Sequence, residues 1–211
     1  MKNEQAISYW GKMAANKPNE KTIKVSETND YTQLDADFIM NYATADSTIL
    51  DLASGTGLTI NKYCEKVKHI EAIELFKEFS SFIKKTPNIT IVNQDIKEYK
   101  TDQKFDIATM FGIVSYFNEE EIKTLYKKYY DYIENQGLLI VKNQFGVKED
   151  VVVSGYSDEL KTDYYSQYRS LEKEINILKQ AGYRNIEAID IYPPECNRWE
   201  NTHFYAIVAQ K

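Results

Sequence analysis

Histidine and cysteine are scarce in this chain of 211 residues, which holds two of each. Cys64 and Cys196 lie far apart and form neither a metal-binding nor a redox pair motif. With His69 and His203 as its histidines, the chain would need unusual ligands to build a zinc centre, and no metal is expected. Long apolar runs are missing too. None approaches the roughly 20 residues needed to span a bilayer, and Met1-Lys2-Asn3-Glu4-Gln5 opens no signal-peptide core. A cytoplasmic protein with no membrane partner is the expectation. Arginine is rare, at Arg169, Arg184 and Arg198, and the formal net charge is −6. An acidic chain lacks the basic face with which proteins track a nucleic-acid backbone, so no nucleic-acid partner is expected.

What is present is an ordinary apolar fraction of 43% and an unusual 17 tyrosines. The length suits one domain with a real core, expected to span 1–211. Residues 1–45 read as a helical cap, because Ala6, Ile7, Trp10, Met13 and Ala14, then Leu34, Phe38 and Tyr42, recur at helical spacing. A polar stretch with Pro18 separates the two sets. From residue 46 onward short β-branched runs alternate with helices: Ile49-Leu50, Ile70–Ile73, Ile89–Val92, Ile107–Phe111 and Leu138–Val141. Asn118 followed by Glu119, Glu120 and Glu121 reads as a capped helix start. Its apolar stripe runs to Ile133, with a stop at Gly137. A later helix is expected from Ser170 to Gly182. Such alternation predicts a doubly wound α/β fold around a mostly parallel sheet. The final runs, Ile186–Ile191 and Phe204–Val208, have no helix between them and predict an antiparallel pair at one end.

The run Thr48-Ile49-Leu50-Asp51-Leu52-Ala53-Ser54-Gly55-Thr56-Gly57 is a buried strand leading into a small-residue turn and a helix. Gly55 and Gly57 let the backbone approach a ligand, and the following helix start offers free amides. A P-loop requires Lys-Ser/Thr after the turn, whereas Leu58-Thr59 stands here. A dinucleotide turn wants a third glycine where Ile60 stands.

The chain instead resembles the seven-stranded, Rossmann-like (class I) S-adenosylmethionine-dependent methyltransferases of small-molecule type, over about residues 45–211. The acid-then-small-residue turn is their first motif, with Ala53 where glycine is frequent. Glu74, closing the second strand, lies 23 positions after Asp51, near the interval of about 20 expected for a ribose-binding acid. Asn93-Gln94-Asp95-Ile96 resembles their adenine-binding turn, and Phe105–Gly112 their fourth strand, whose end underlies the methionine part. The resemblance implies S-adenosylmethionine as cofactor and S-adenosylhomocysteine as product. It also implies a cofactor site of Tyr9, Asp51, Ala53, Ser54, Gly55, Gly57, Glu74, Leu75, Asp95, Ile96, Met110 and Phe111.

In an open parallel sheet ligands bind beyond the carboxyl ends of the strands. Three loops then face the acceptor: 111–118, the aromatic stretch 144–168 read as a lid, and 192–203. Ser115, Asn143, Gln144, Tyr156, Tyr168, Tyr192 and Arg198 are the expected acceptor contacts. His203 is the best base by chemistry and Tyr116 the second catalytic residue. The expected activity is metal-independent methyl transfer to O or N of a small polar acceptor, such as a sugar or nucleotide-linked precursor, by a monomer or homodimer. Methylation of protein or RNA, a non-catalytic S-adenosylmethionine-binding module and a nicotinamide-dependent reductase are the alternatives.

Overall fold

The computed structural model describes residues 3–23, 30–158, 161–197 and 199–211. Two helices come first, α1 (Asn3–Ala15) and α2 (Thr32–Met40). They are followed by β1 (Thr48–Leu52), α3 (Ile60–Tyr63), β2 (His69–Ile73), α4 (Lys77–Ser80), β3 (Ile89–Val92) and β4 (Phe105–Phe111). The second half contains α5 (Glu119–Tyr132), β5 (Ile133–Gly146), β6 (Val151–Ser157), β7 (Thr162–Tyr168), α6 (Leu171–Gln180), β8 (Arg184–Asp190) and β9 (Thr202–Gln210).

Seven strands form one sheet in the order β3-β2-β1-β4-β5-β9-β8. The first five run parallel, and β9 is antiparallel to both neighbours. This is the doubly wound Rossmann-like sheet that the alternating pattern predicts. The missing helix between β8 and β9 turns the chain back, so that β9 fills the gap between β5 and β8. The sheet is buried on both faces. On one, Leu52, Met110, Tyr126, Tyr129 and Val141 pack with α5 and α6. On the other, Ile39, Ile49, Ile60, Ile70 and Ile140 pack under α2 and α3.

Local chemistry sets the helix starts. Asn118 and Glu121 exchange side-chain-to-backbone hydrogen bonds as a capping box, and Ser170 caps α6 by accepting from the Lys173 amide. The far end of α5 differs from the sequence reading. Ile133 leaves the helix and pairs with Phe105 as the first residue of β5. Cross-strand pairing overrides the helical stripe there. The aromatic stretch is not loop but a two-stranded antiparallel ribbon, β6 against β7, outside the main sheet.

Gly57 shows how tightly the turn after β1 is built. Its φ is +73°, and an added Cβ would lie 2.7 Å from Ile83 Cγ1 and 3.2 Å from Ile83 Cα. Left-handed strain and overpacking together predict that Gly57→Ala lowers unfolding free energy by about 2–4 kcal/mol. A urea titration showing a loss under about 0.5 kcal/mol would mean that the turn relaxes around the methyl group.

Candidate active site

β1 ends at a turn in which Ala53, Gly55 and Gly57 all have positive φ, at +63°, +55° and +73°. The Ser54 amide donates to the Ile73 carbonyl (3.0 Å). Gly55 N–H then donates to Glu74 Oε2 (2.8 Å), and Phe76 N–H donates to Oε1 (2.8 Å). Each carboxylate oxygen is thus fixed by one backbone donor and keeps a lone-pair direction for a ligand. Glu74 is 5% exposed. Burial pushes its carboxyl up to about 6, against the lowering effect of the Phe76 and Gly55 amides, and the nearby Asp51 raises it further. Asp51 lies deeper, accepting from the Thr109 hydroxyl, and burial raises its carboxyl as well.

The turn opens into a cleft of about 680 Å³ beyond the carboxyl ends of β1, β2 and β4. Its floor holds Ala53, Gly55, Glu74, Leu75, Gln94, Asp95, Ile96 and Phe111. Leu75 is 37% exposed there, an apolar surface fit to lie against a flat ring. Ile23 packs directly on Gly55, within 2.3 Å of where a Cβ would stand. The roof comes from α1 and the β6–β7 ribbon. Tyr9 meets Tyr164 edge-on with ring centres 5.3 Å apart. Trp10 contacts Tyr9 (5.4 Å), Tyr116 (6.2 Å) and Phe79 (6.3 Å). Lys12 Nζ donates to the Lys161 carbonyl at the ribbon tip (2.7 Å).

The cleft brings together ten of the residues expected from sequence: Tyr9, Ala53, Gly55, Glu74, Leu75, Asp95, Ile96, Phe111, Tyr116 and Tyr156. It also takes in Trp10 from the helical cap, Tyr164 and Trp199 from the stretches expected to face the acceptor, and Ile23, Phe76 and Phe79, which the expectation did not include. Asp51, Ser54 and Gly57 stand behind the turn and shape it. Ser54 Oγ donates to the Asp51 carbonyl (3.0 Å), and Gly57 N–H to the Ser54 carbonyl (3.0 Å). Met110 is fully buried in β4, and Ser115 is buried beneath the loop that presents Tyr116.

Other placements depart from the sequence reading, each for a definable reason. β5 runs four residues beyond the Phe111–Lys142 pair alongside β9, so Asn143 and Gln144 are interior sheet residues. Gln144 bonds Thr202, and Asn143 Nδ2 donates to the Gln144 carbonyl (2.9 Å). His203 sits in β9 opposite Phe145. Its Nδ1 is 3.0 Å from Asn197 Oδ1 and its Nε2 is 2.7 Å from Asp190 Oδ1. Those partners hold the imidazole away from the cleft. Tyr192 donates to Asp35 (2.7 Å) and accepts from Lys142 (3.1 Å), which ties α2 to the sheet. Tyr168 supports the wall from outside, its hydroxyl 3.3 Å from Trp199 Nε1. Arg198 lies outside the described residues. Among the described residues no group of three or more His, Cys, Asp or Glu side chains is placed to hold a metal ion, and no helix is long and apolar enough to cross a membrane.

A sheet of this order, with an acid-and-glycine turn facing a second-strand carboxylate, is the Rossmann-like arrangement, in which ligands lie beyond the carboxyl ends of the strands. Residues 49–137 match the family described as Methyltransferase domain. Over that segment the chain is similar to class I S-adenosylmethionine-dependent methyltransferases. It is 22% identical over 205 residues to the carboxy-S-adenosyl-L-methionine synthase of Nautilia profundicola, a match covering 84% of this chain and 83% of that one. It is 24% identical over 110 residues to a dTDP-3-amino-3,4,6-trideoxy-alpha-D-glucopyranose N,N-dimethyltransferase of Streptomyces venezuelae, covering 51% of this chain and 46% of the relative. The fold superposes with TM-score 0.75 on the 1,6-didemethyltoxoflavin-N1-methyltransferase of Burkholderia thailandensis, at 12% identity, covering all of this chain and 90% of the other.

Proposed function

We propose that the chain transfers the methyl group of S-adenosylmethionine to a small molecule held between the sheet-end floor and the α1–ribbon roof. The observation that carries this reading is the single cleft joining Glu74 and Asp95 to a roof of aromatic rings. In this reading Glu74 accepts the ribose hydroxyls with its two backbone-fixed oxygens, and Asp95 accepts from the adenine amino group. Leu75 and Ile96 flank the adenine ring, while Ala53 and Gly55 bring the turn's backbone close to the methionine part. Bound there, S-adenosylmethionine supplies a methyl carbon on a positively charged sulfur. Residues 1–211 act as one unit, with α1 and the ribbon within 144–168 excluding water and aligning the acceptor. Tyr116, in the loop after β4, orients the acceptor from the floor side.

S-adenosylhomocysteine is expected to stabilise the protein by about 2.7 kcal/mol at a hundred times its dissociation constant, read as a thermal shift, with no shift from NADPH. Stabilisation by NADPH alone would overturn the reading. Labelled S-adenosylmethionine with a pool of small metabolites should then yield a labelled small product. Transfer to tRNA or to protein, suppressed by salt, would favour the macromolecular alternative. Mass spectrometry of the spent cofactor separates methyl loss from carboxyl gain, the chemistry named for the Nautilia relative.

A further inference from the structure

We infer that the acceptor atom is an amine nitrogen on a molecule without a phosphate or carboxylate near the reacting end. The inference rests on the methyltransferase reading above. The titratable side chains on the described lining are two carboxylates, Glu74 and Asp95, and four tyrosines, Tyr9, Tyr116, Tyr156 and Tyr164. Both carboxylates belong to the cofactor floor, which leaves four tyrosines as the titratable groups on the acceptor side, the Tyr164 hydroxyl accepting from Ser166 Oγ (2.9 Å).

Among the described residues no Lys or Arg lines the cleft, and Lys142 and Arg169, which border this end, are already committed. Lys142 Nζ lies over the Phe111 ring at 5.1 Å and pairs with Asp35 at 2.9 Å. Arg169 lies behind the loop that presents Tyr116. It donates to the Phe117 carbonyl (2.6 Å) and the Val114 carbonyl (2.9 Å) and pairs with Glu174 (2.5 Å). An anionic acceptor would add negative charge to a cleft whose floor is acidic and whose described lining holds no cation. An amine meets aromatic faces and phenol oxygens instead, surfaces suited to a positively charged N-methyl product.

The chemistry agrees with that wall. The lone pair of a neutral amine forms the N–C bond, the C–S bonding pair returns to sulfur as a neutral thioether, and the ammonium proton then leaves to water. A hydroxyl acceptor must lose its proton as the bond forms, and a tyrosine is a poor base for that. Burial pushes the Tyr164 phenol further up from its ordinary value.

The test uses the full chain with S-adenosylmethionine carrying a carbon-13 methyl group and a protein-free small-molecule cell extract. One portion of extract is depleted of amines on a cation exchanger. The product methyl is expected at the carbon-13 position of an N-methyl group, and depletion should cut its yield at least tenfold. Both tryptophans line the cleft, so a binding readout independent of turnover is available. The fraction retained by the exchanger should change the fluorescence of the S-adenosylhomocysteine-loaded protein, and the flow-through should not. An O-methyl product, or a yield unchanged by depletion, overturns the amine assignment and leaves the methyltransferase reading standing. Failure of S-adenosylhomocysteine to stabilise the protein, or absence of any methylated small molecule, overturns both.

Discussion

Arg169→Met is expected to destabilise the protein by about 3–5 kcal/mol, because it strands the Glu174 carboxylate in the interior without its partner. Arg169 is 1% exposed and Glu174 is fully buried. The guanidinium also holds the Val114 and Phe117 carbonyls, and the Tyr126 hydroxyl bonds the same carboxylate. Removing the arginine therefore unpins the loop that carries Tyr116 into the cleft. Urea titration measures the stability loss. In the same samples the fluorescence of Trp10, which touches Tyr116, should shift under conditions where the protein remains folded. The double variant Arg169→Met with Glu174→Leu should recover much of the loss, since an apolar pair of similar volume carries no stranded charge. A single-variant loss below about 1 kcal/mol would show that the pair contributes little.

Glu74→Ala is expected to weaken S-adenosylhomocysteine binding about 100-fold, the loss of hydrogen bonds to a carboxylate worth about 3 kcal/mol together. Titration calorimetry checks this, and affinity retained in full would remove Glu74 from the ribose-binding role. The same carboxyl gives the ligand-free protein a pH signature. It titrates at about 6 when folded and at 4.5 when exposed, so between these values the folded state holds the extra proton. The resulting stability is fully present below pH 4.5 and is lost as pH rises through 6, a fall of about 2 kcal/mol. Glu74→Gln should flatten that portion of the profile. In the proposed ribose-binding role the carboxylate form holds the ligand, so affinity should decline as pH falls below 6. A wild-type profile without this opposition would refute the assignment.

The floor of the cleft was legible in sequence because its signals are local or regularly spaced. The turn at 53–57 announces itself by small residues, and Glu74 follows at the interval that a strand, a short helix and a second strand dictate. The antiparallel β9 was legible because no helix separates it from β8. The roof and the segments around it depend on long-range pairing, which one sequence does not display. Nothing near His203 says that Asn197 and Asp190 will hold it, and nothing near Tyr192 points to Asp35, 157 positions earlier. Trp10 carries no motif, and Tyr164 is marked only as part of the aromatic stretch expected to face the acceptor. They become neighbours of the cleft only when α1 lies against β7. Ile133 was misread for a related reason, since its helical spacing was real and pairing with Phe105 overrode it.

The floor of the cleft is supplied by 53–111, and its roof mainly by 3–23, 151–168 and 199. Only the first of these stretches, with the loop after β4, lies inside the segment shared with the wider family. The two halves meet through side-chain contacts and share no strand pairing, so either can drift without altering the other's register. If the proposed division of the cleft holds, grafting the ribbon of a relative onto this sheet is expected to exchange the acceptor preference while leaving most of the cofactor affinity in place. A lineage could thereby change what it methylates by substitutions confined to one side of a single cavity.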